Sequence, residues 1–337
     1  MAPDEDPPPG LAIRRLIDGF QVSQAIHVAV VLGIPDLLAE GARPCDELAA
    51  ATQSHGPTLY RLLRALAGIG ILHEGDQRRF SLTPLGDALR TEVDGSIAGW
   101  AAFVGRPAYW QAWSGLLHSV RTGENAFRHV HGTDVWSWRQ SRPDESRIFD
   151  AAMRAVARRA SAALLDAFDF GSLDTVADIG GGNGTLLAAI LARHPHLQGI
   201  LFDQPHVVSA ARPLLERAGV ADRCRIEGGS FFNAVPRGAD AYVLRAVVHD
   251  WDETHAVQIL RTVAQAMDSF ACLILVERVI APPNQGRDAK FSDLNMLVSP
   301  GGRERTLEEF VALIEEAGLR LRSVADAGGF SVLAAGR

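Results

Sequence analysis

Residues 176–185 read Val-Ala-Asp-Ile-Gly-Gly-Gly-Asn-Gly-Thr, an apolar run that ends in an acid and in alternating glycines. The pattern predicts a buried strand and then a sharp turn into a helix, because Gly180, Gly182 and Gly184 can adopt backbone conformations that other residues avoid. A plain strand-to-helix turn would not need three alternate glycines. We therefore interpret this turn as a ligand-binding loop.

The glycine spacing and the acid narrow the identity of the ligand. A nicotinamide or flavin fingerprint requires Gly-x-Gly-x-x-Gly, but the sixth position counted from Gly180 is Thr185. Asp178 adds a carboxylate that suits a cationic ligand and gives nothing to a phosphate. Both features favour S-adenosylmethionine, which carries a sulfonium and an amino group.

The spacing of apolar residues changes along the chain and predicts two domains. Residues 158–337 alternate short apolar runs with amphipathic helices, which predicts a doubly wound, Rossmann-like α/β domain with parallel strands and crossover helices. Residues 13–157 are rich in Ala, Leu and Arg and predict an all-α domain, and residues 1–12 are acidic and proline-rich and predict a disordered tail. The predicted strands span 175–179, 199–202, 225–227, 241–248, 273–276, 320–324 and 330–334.

Within the helical half, residues 44–88 follow the order helix, turn, helix, hairpin, which is a winged-helix arrangement. Such a module often reads DNA, so a DNA-binding regulator is an alternative. The candidate recognition helix offers only Arg61 and Arg64, and the whole chain carries 33 basic against 40 acidic residues, a net charge of -7. Because nucleic-acid binding needs a basic stripe, we expect a packing and dimerisation module with no nucleic-acid partner.

Composition predicts a globular, cytoplasmic protein. Hydrophobic residues make up 47% of the chain and charged residues 22%, without a run long enough to span a bilayer, so no membrane partner is expected. Cys45, Cys224 and Cys272 are widely spaced and odd in number, which predicts neither a disulfide framework nor a metal site.

Two further segments are candidates for holding the cofactor. Asp203 ends the second predicted strand, where a carboxylate can accept hydrogen bonds from both ribose hydroxyls, although an aspartate there could instead cap the next helix. After the third strand, Gly229, Ser230 and Phe231 place a hydroxyl and an aromatic ring where they could flank an adenine.

The candidate catalytic residues follow the fourth strand, where residues 245–251 read Arg-Ala-Val-Val-His-Asp-Trp. This strand end lies at the edge where open α/β sheets bind ligands. His249 is the predicted general base, since a neutral imidazole can take the proton of a phenol as its oxygen attacks a methyl group. Glu277 and Glu304 are candidates for orienting its ring, and for each the alternative is a helix cap or a surface ion pair.

These segments together resemble the small-molecule O-methyltransferases, a family that includes plant caffeic acid and flavonoid enzymes and bacterial antibiotic-pathway relatives. The resemblance covers nearly the whole chain. It rests on five features in the family's order: residues 178–184, the His-Asp-Trp at 249–251, Glu277, the Asp-Leu-Asn-Met at 293–296 and the Gly-Gly-Arg-Glu-Arg-Thr at 301–306.

The resemblance implies a helical dimerisation domain with a winged helix, hence a homodimer, and a methyltransferase domain that binds S-adenosylmethionine. It implies His249 as general base beside Glu277 and Glu304, cofactor contacts from Gly180 and Asp203, and Arg245 beside the carboxylate or adenosyl end of the cofactor. It also implies an aromatic acceptor bound by the following residues, each of which could instead be core packing: Phe103, Trp110, Phe149, Met153, Asp250, Asn295 and Met296.

One departure from the family and one rival reaction remain at this stage. Ser230 stands where the family commonly has an acid, so a carboxylate contact on the adenine side is lost or replaced by a hydroxyl. A relative that uses bound S-adenosylmethionine for hydroxylation or decarboxylation is the enzymatic alternative, and the presence of His249 argues against it. The aromatic residues of the helical half suit a flat polycyclic acceptor. An acceptor that is acidic enough to ionise without a general base is also compatible with the sequence.

Overall fold

The structure is a computed structural model that describes residues 7–91 and 93–337, except the side chains of 154–162. The chain forms two compact units: the first comprises residues up to Trp110 together with Arg142–Val156, and the second comprises Gln111–Ser141 and Ala157–Arg337. Among the described residues, no helix has the length and apolarity needed to cross a membrane.

The helices, in chain order, are α1 (Pro9–Ile17), α2 (Gly19–Val31), α3 (Ile34–Leu37), α4 (Cys45–Ala51), α5 (Gly56–Gly68), α6 (Pro84–Asp87), α7 (Ala98–Val104), α8 (Pro107–Ser114), α9 (Leu116–Thr122), α10 (Ala126–His131), α11 (Val135–Gln140), α12 (Pro143–Ala167), α13 (Thr185–Arg193), α14 (Pro205–Val208), α15 (Arg212–Arg217), α16 (Glu253–Ala266), α17 (Arg287–Val298) and α18 (Leu307–Glu316). The strands are β1 (Arg43–Pro44), β2 (Leu72–Gly75), β3 (Arg79–Leu82), β4 (Thr175–Ile179), β5 (Gln198–Asp203), β6 (Cys224–Gly228), β7 (Ala241–Arg245), β8 (Cys272–Glu277), β9 (Arg320–Asp326) and β10 (Ser331–Gly336).

The first unit contains the predicted helix-turn-helix and hairpin. Helices α4 and α5 are followed by the antiparallel pair β2 and β3, and β1 adds a third strand in the order β1-β3-β2. The predicted winged-helix module is therefore present, and its wing is a small sheet within the otherwise helical half. The predicted tail also ends early: α1 already begins at Pro9, where proline fits the first helical turn, and residues 1–6 lie outside the described residues.

The second unit carries a seven-stranded sheet in the order β6-β5-β4-β7-β8-β10-β9. The pairs from β6 to β8 are parallel, as predicted, whereas β10 is antiparallel to both β8 and β9, an orientation that the sequence pattern left unspecified. The physical reason is the short connection from β9 to β10, since a parallel crossover needs about a dozen residues. The strand order reverses at β4 and β7, and ligands of open α/β sheets bind at such a reversal.

Two apolar layers cover the faces of this sheet. Helices α16 and α18 pack on one face, where Leu260, Phe310 and Leu333 are fully buried. Helix α13 and the end of α12 pack on the other face around Leu187, Leu201 and others. Segment 111–141, expected in the helical half, packs with this sheet unit, because helical periodicity shows which side of a helix is apolar but not which neighbour covers it.

Candidate active site

The glycine loop adopts the predicted conformation. Gly180, Gly182 and Gly184 have φ values of +72°, +59° and +81°, in the left-handed region that favours glycine. Gly180 also leaves no room for a side chain, because a Cβ there would lie 2.8 Å from a methyl group of Val247. At Gly182 a Cβ would meet no heavy atom within 4 Å, so that part of the loop is open for a ligand.

Asp203 at the end of β5 is tied to this loop. Its Oδ2 accepts a hydrogen bond from the backbone of Gly182 at 2.9 Å, and its Oδ1 accepts one from Gln204 at 2.6 Å. The N-cap of α14 is Gln204 and not Asp203, so the helix-capping alternative for Asp203 is not what the structure has. Each carboxylate oxygen retains acceptor capacity for a hydroxyl, as the ribose prediction requires.

Asp178 lies beneath the loop. It is 1% exposed, and a Cβ on Gly181 would lie 2.6 Å from its carboxyl carbon. Its Oδ2 has no hydrogen-bond partner among the described residues. Burial raises the pKa of Asp178 to about 7, against the lowering effect of the Arg245 charge at the end of β7.

These features fit a cationic nucleoside cofactor. A buried carboxylate under an open glycine turn favours positive charge, and Asp203 offers hydroxyl-binding oxygens beside it. When bound there, S-adenosylmethionine would supply an electrophilic methyl group on a sulfonium. Because Asp178 lies below the loop, we expect its negative charge to attract the cofactor and its side chain to support the backbone of the loop.

Phe231 lies close to the same loop. Its ring would be 3.8 Å from a Cβ on Gly180, and it packs edge-on against Phe232 with ring centroids 4.9 Å apart. Gly229 is required before it, because a Cβ there would lie 2.6 Å from the Phe202 ring. Ser230 uses its hydroxyl to accept a hydrogen bond from the Phe232 backbone at 3.4 Å. The roles of Gly229, Ser230 and Phe231 toward adenine stay predictions.

The backbone after β7 changes direction to present His249. Ala246 has φ +52°, which is rare for a residue with a side chain and costs of order 1 kcal/mol or more. A short 3-10 turn, Val248–Asp250, follows. The predicted strand 241–248 is therefore too long: β7 ends at Arg245, because the kink turns the next residues away from the neighbouring strand. Strain of this kind clusters at functional sites.

Two buried glutamates surround Nδ1 of His249. Oε1 of Glu304 lies 3.1 Å from Nδ1 and also accepts a hydrogen bond from Ser292 at 2.6 Å. Oε2 of Glu277 lies 3.7 Å from Nδ1, while its Oε1 accepts hydrogen bonds from the backbone of Val247 and Val248 at 3.1 and 2.8 Å. Glu304 is therefore the direct partner of the ring, and Glu277 holds the turn and adds charge.

The other edge of the ring faces Asp250. Oδ1 of Asp250 lies 3.6 Å from Nε2, and the His249 side chain remains 12% exposed. Burial raises the pKa of Asp250, while the positive charges of His249 and of Arg139 in α11 act in the opposite direction. Arg139 is 9% exposed and was not predicted from the sequence, because a single arginine in a helical segment carries no local signal.

The segment 301–306 braces the turn that carries His249. A Cβ on Gly302 would lie 2.0 Å from the carbonyl oxygen of His249, so only glycine fits, and Arg303 donates its backbone N–H to that oxygen at 2.8 Å. Arg305 is fully buried and donates to the carbonyl oxygens of Val248 and Trp251 at 3.3 and 3.0 Å. Arg305 had no role predicted from the sequence, and these hydrogen bonds make it the residue that braces the turn.

The charges around His249 oppose its burial. Burial lowers the pKa of His249, but the carboxylates of Glu277, Asp250 and Glu304 outweigh it and raise that pKa to about 10. Burial raises the pKa of Glu277 to about 7, and the positive charge of His249 acts in the opposite direction. The nearby carboxylates thus favour the protonated form of the ring.

The predicted acceptor residues fall in both units. In the first unit, the rings of Phe103 and Phe149 meet at 5.5 Å, while Trp110 meets Phe20 at 6.3 Å. Met153 is half-buried in α12. In the second unit, Asn295 and Met296 lie on α17, and Met296 is 7% exposed. Their roles as acceptor contacts stay predictions.

Comparisons with known proteins identify the family of the chain. Residues 113–320 match the O-methyltransferase domain family, and residues 14–92 match the O-methyltransferase dimerisation domain, which supports a homodimer. The phenazine O-methyltransferase of Lysobacter antibioticus is 40% identical over 96% of this chain and 95% of that protein. An aclacinomycin 10-hydroxylase of Streptomyces purpurascens is 35% identical over 90% of this chain and 83% of that protein.

A solved structure adds ligands to the comparison. The neocarzinostatin-biosynthesis O-methyltransferase, in complex with S-adenosylmethionine and 2-hydroxy-5-methyl naphthoic acid, has a TM-score of 0.79 and 33% identity, covering 94% of this chain and 95% of that chain. The cofactor prediction is therefore confirmed at the level of the family. With its glycine loop, its mixed seven-stranded sheet and both domain matches, the chain belongs to the S-adenosylmethionine-dependent O-methyltransferases that carry an N-terminal dimerisation domain.

Proposed function

We propose that this enzyme transfers a methyl group from S-adenosylmethionine to a hydroxyl of a flat, polycyclic aromatic acceptor of specialised metabolism. The relatives support this acceptor class, since one acts in phenazine chemistry and another was solved with a hydroxynaphthoic acid. In the transfer, the hydroxyl oxygen forms a bond to the methyl carbon, the carbon–sulfur bond breaks, and S-adenosylhomocysteine leaves.

One observation carries the proposal within this chain. His249 lies on the turn after β7, at the sheet edge that also holds the glycine loop, and Glu304 fixes its Nδ1 at 3.1 Å. Glu304 holds His249 in one orientation, and the His249 side chain is still 12% exposed. The ring can therefore take a proton from the hydroxyl of a bound acceptor or place a charge beside it. The general-base role predicted from the sequence is the first of these two actions.

The proposal is tested with the purified full chain, S-adenosylmethionine and a panel of hydroxylated phenazines, naphthoates and polyketide aromatics. We expect a methylated product and an equal amount of S-adenosylhomocysteine for at least one member of the panel. The hydroxylase relative makes the rival outcome concrete: a product that gains oxygen or loses carbon dioxide without stoichiometric S-adenosylhomocysteine would contradict methyl transfer.

The role of His249 is tested by His249→Ala. We expect kcat to fall by about 10²-fold or more, with the affinity for S-adenosylmethionine retained, because the side chain acts on the hydroxyl and not on the cofactor. His255→Ala is the matched control, since His255 is half-exposed on α16 and contacts Asp252. Unchanged turnover in His249→Ala would contradict the role.

We also propose that the enzyme works in the cytoplasm. Its three cysteines, all among the described residues, are free thiols, which suits a reducing compartment. Cell fractionation with an antibody against the chain tests this, and recovery of the protein outside the cytoplasmic fraction would contradict it.

A further inference from the structure

One helix supports the partner of His249 at two points. The side chain of Glu304 is fully buried, and its Oε1 accepts a hydrogen bond from the hydroxyl of Ser292 at 2.6 Å. The backbone N–H of Glu304 donates to Oδ1 of Asp293 at 3.0 Å. Ser292 and Asp293 are consecutive residues of α17, which belongs to the same unit as the sheet. The glutamate that contacts the imidazole is therefore held by a helix as well as by its own segment.

The Ser292 hydroxyl forms its hydrogen bond outside its own helix. A serine inside a helix often donates to the carbonyl oxygen four residues earlier, which satisfies the hydroxyl locally. Ser292 donates instead to Glu304, 12 residues further along the chain, and its side chain is half-buried. Because this contact joins two elements, it fixes the segment before α18 relative to α17.

The same oxygen of Glu304 serves both the hydroxyl and the imidazole. Oε1 lies 3.1 Å from Nδ1 of His249 and 2.6 Å from the Ser292 hydroxyl, and a carboxylate oxygen has two lone pairs to offer. Oε2 of Glu304 is buried and has no hydrogen-bond partner among the described residues. A rotation of the carboxylate that turned Oε1 away from the ring would therefore also break the hydrogen bond from Ser292.

This arrangement decides which nitrogen of His249 keeps a proton. A proton on Nδ1 completes a hydrogen bond to Oε1 of Glu304, whereas a bare Nδ1 would face an oxygen lone pair at 3.1 Å. Nε2 has no such partner among the described residues, because Oδ1 of Asp250 lies 3.6 Å away, beyond hydrogen-bond distance. When the ring is neutral, as a general base is before it acts, its proton is therefore on Nδ1 and its free lone pair is on Nε2.

Ser292 also shares a face of α17 with two predicted acceptor contacts. Asn295 and Met296 follow it by three and four residues, and residues with these spacings lie on the same side of a helix. Met296 is 7% exposed, whereas Phe291, on another side of α17, is 53% exposed. The helix that is expected to contact the acceptor is thus the helix that holds the partner of the base.

We propose that Ser292 is a positioning residue for methyl transfer: its hydroxyl holds Oε1 of Glu304 against Nδ1 of His249, so that Nε2 receives the proton of the acceptor hydroxyl. The inference rests on the proposed function, in which His249 is the general base. In the transfer step the hydroxyl proton goes to Nε2, the oxygen forms a bond to the methyl carbon, and the carbon–sulfur electrons go to sulfur. The Nδ1 proton stays in place, and the proton on Nε2 passes to solvent after the product leaves.

Three substitutions of Ser292 separate the hydroxyl from the volume of the side chain. Ser292→Ala removes the hydroxyl, Ser292→Cys keeps nearly the same volume with only a weak donor, and Ser292→Thr keeps the hydroxyl. With the best acceptor of the panel, we expect kcat to fall by about fivefold or more in the first two variants, and the Thr variant to recover about half of the wild-type kcat or more. The KM for S-adenosylmethionine and the melting temperature should change little. Equal kcat values in wild type and all three variants would overturn the proposal.

A double substitution tests whether Ser292 acts through Glu304. Glu304→Ala removes the carboxylate that the hydroxyl holds, so adding Ser292→Ala to it should change kcat by no more than about twofold. Ser323→Ala is the matched control, because Ser323 is exposed on the edge strand β9 and should leave kcat unchanged in both backgrounds. If Ser292→Ala lowered kcat by the same factor with and without Glu304, the assigned route would be wrong.

The proton on Nδ1 gives a readout that needs no acceptor. A ring proton that is hydrogen-bonded to a carboxylate gives a strongly downfield proton NMR signal, and its loss in His249→Gln assigns it. In the full-length enzyme saturated with S-adenosylhomocysteine, we expect this signal in wild type and in Ser292→Thr, and a weaker signal at higher field in Ser292→Ala. An unchanged signal in Ser292→Ala would overturn the inference. Absence of methyl transfer to every acceptor would instead contradict the proposed function, while the NMR comparison would still decide the role of Ser292.

Discussion

At the scale of single residues, the two glutamates beside His249 have different tasks. Glu304 contacts the ring directly at 3.1 Å, whereas one carboxylate oxygen of Glu277 accepts hydrogen bonds from the backbone N–H groups of Val247 and Val248. The sequence could not show which glutamate contacts the ring, because Glu277 ends β8, Glu304 precedes α18, and both were expected at the same edge of the sheet. The ranking depends on distances of a few tenths of an ångström, which no spacing along the chain encodes.

We expect Glu304→Gln to lower kcat by about tenfold or more while leaving the KM for S-adenosylmethionine within about twofold, as is common when the partner of an active-site histidine is altered. The amide keeps the volume and can still accept from Ser292, so the melting temperature should change little. Steady-state kinetics and a thermal melt measure both. An unchanged kcat would show that Glu304 does not act on His249.

At the scale of elements, the turn that carries His249 is held from outside itself. Arg305 donates to two carbonyl oxygens of the turn region and pairs with Glu253 at 3.2 Å, and it is fully buried. The turn itself has only two backbone hydrogen bonds, from Asp250 to Val247 and from Trp251 to Val248, at 3.2 and 3.3 Å. Its position therefore depends on a partner that lies 54 to 57 residues further along the chain.

We expect Arg305→Met to lower the free energy of unfolding by about 2–5 kcal/mol, because buried carbonyl groups lose their donors. Arg303→Met is the matched control: Arg303 is about half exposed and forms a surface ion pair with Glu309, which contributes at most about 1 kcal/mol. Urea unfolding of both variants gives the comparison. An equal loss of unfolding free energy in both variants would contradict the role of Arg305 in bracing the turn.

At the scale of the whole molecule, buried ionisable groups set the pH dependence of stability. The pKa of Asp178 and of Glu277 is raised to about 7, and that of His249 to about 10. In each case the folded protein binds the proton more tightly than the unfolded chain. Their contribution to stability is therefore fully present at low pH and is lost as pH rises, between about 4 and 7 for the acids and between about 6.5 and 10 for the histidine.

We expect Asp178→Asn to remove part of this pH dependence. At pH 5 the wild-type carboxyl is largely protonated and resembles the amide, whereas at pH 8 it is ionised and buried at a cost. The melting temperature of the variant, relative to wild type, should thus be higher at pH 8 than at pH 5, while its affinity for S-adenosylmethionine falls. A difference in melting temperature that is constant with pH would contradict the burial of an ionisable acid at this position.

The amino-acid pattern was sufficient for the features that local chemistry dictates. The positive φ values of Gly180, Gly182 and Gly184, the sheet of the second unit and the wing of the first follow from residue types and from period-2 and period-3.6 patterns. The tertiary structure alone decided the antiparallel last strand, the packing of residues 111–141 with the sheet unit, and the roles of Arg139 and Arg305. It also decided that acids flank both nitrogens of His249. These properties arise from groups far apart in the chain, and electrostatic and packing energies depend on their separation in space, which only the folded chain sets.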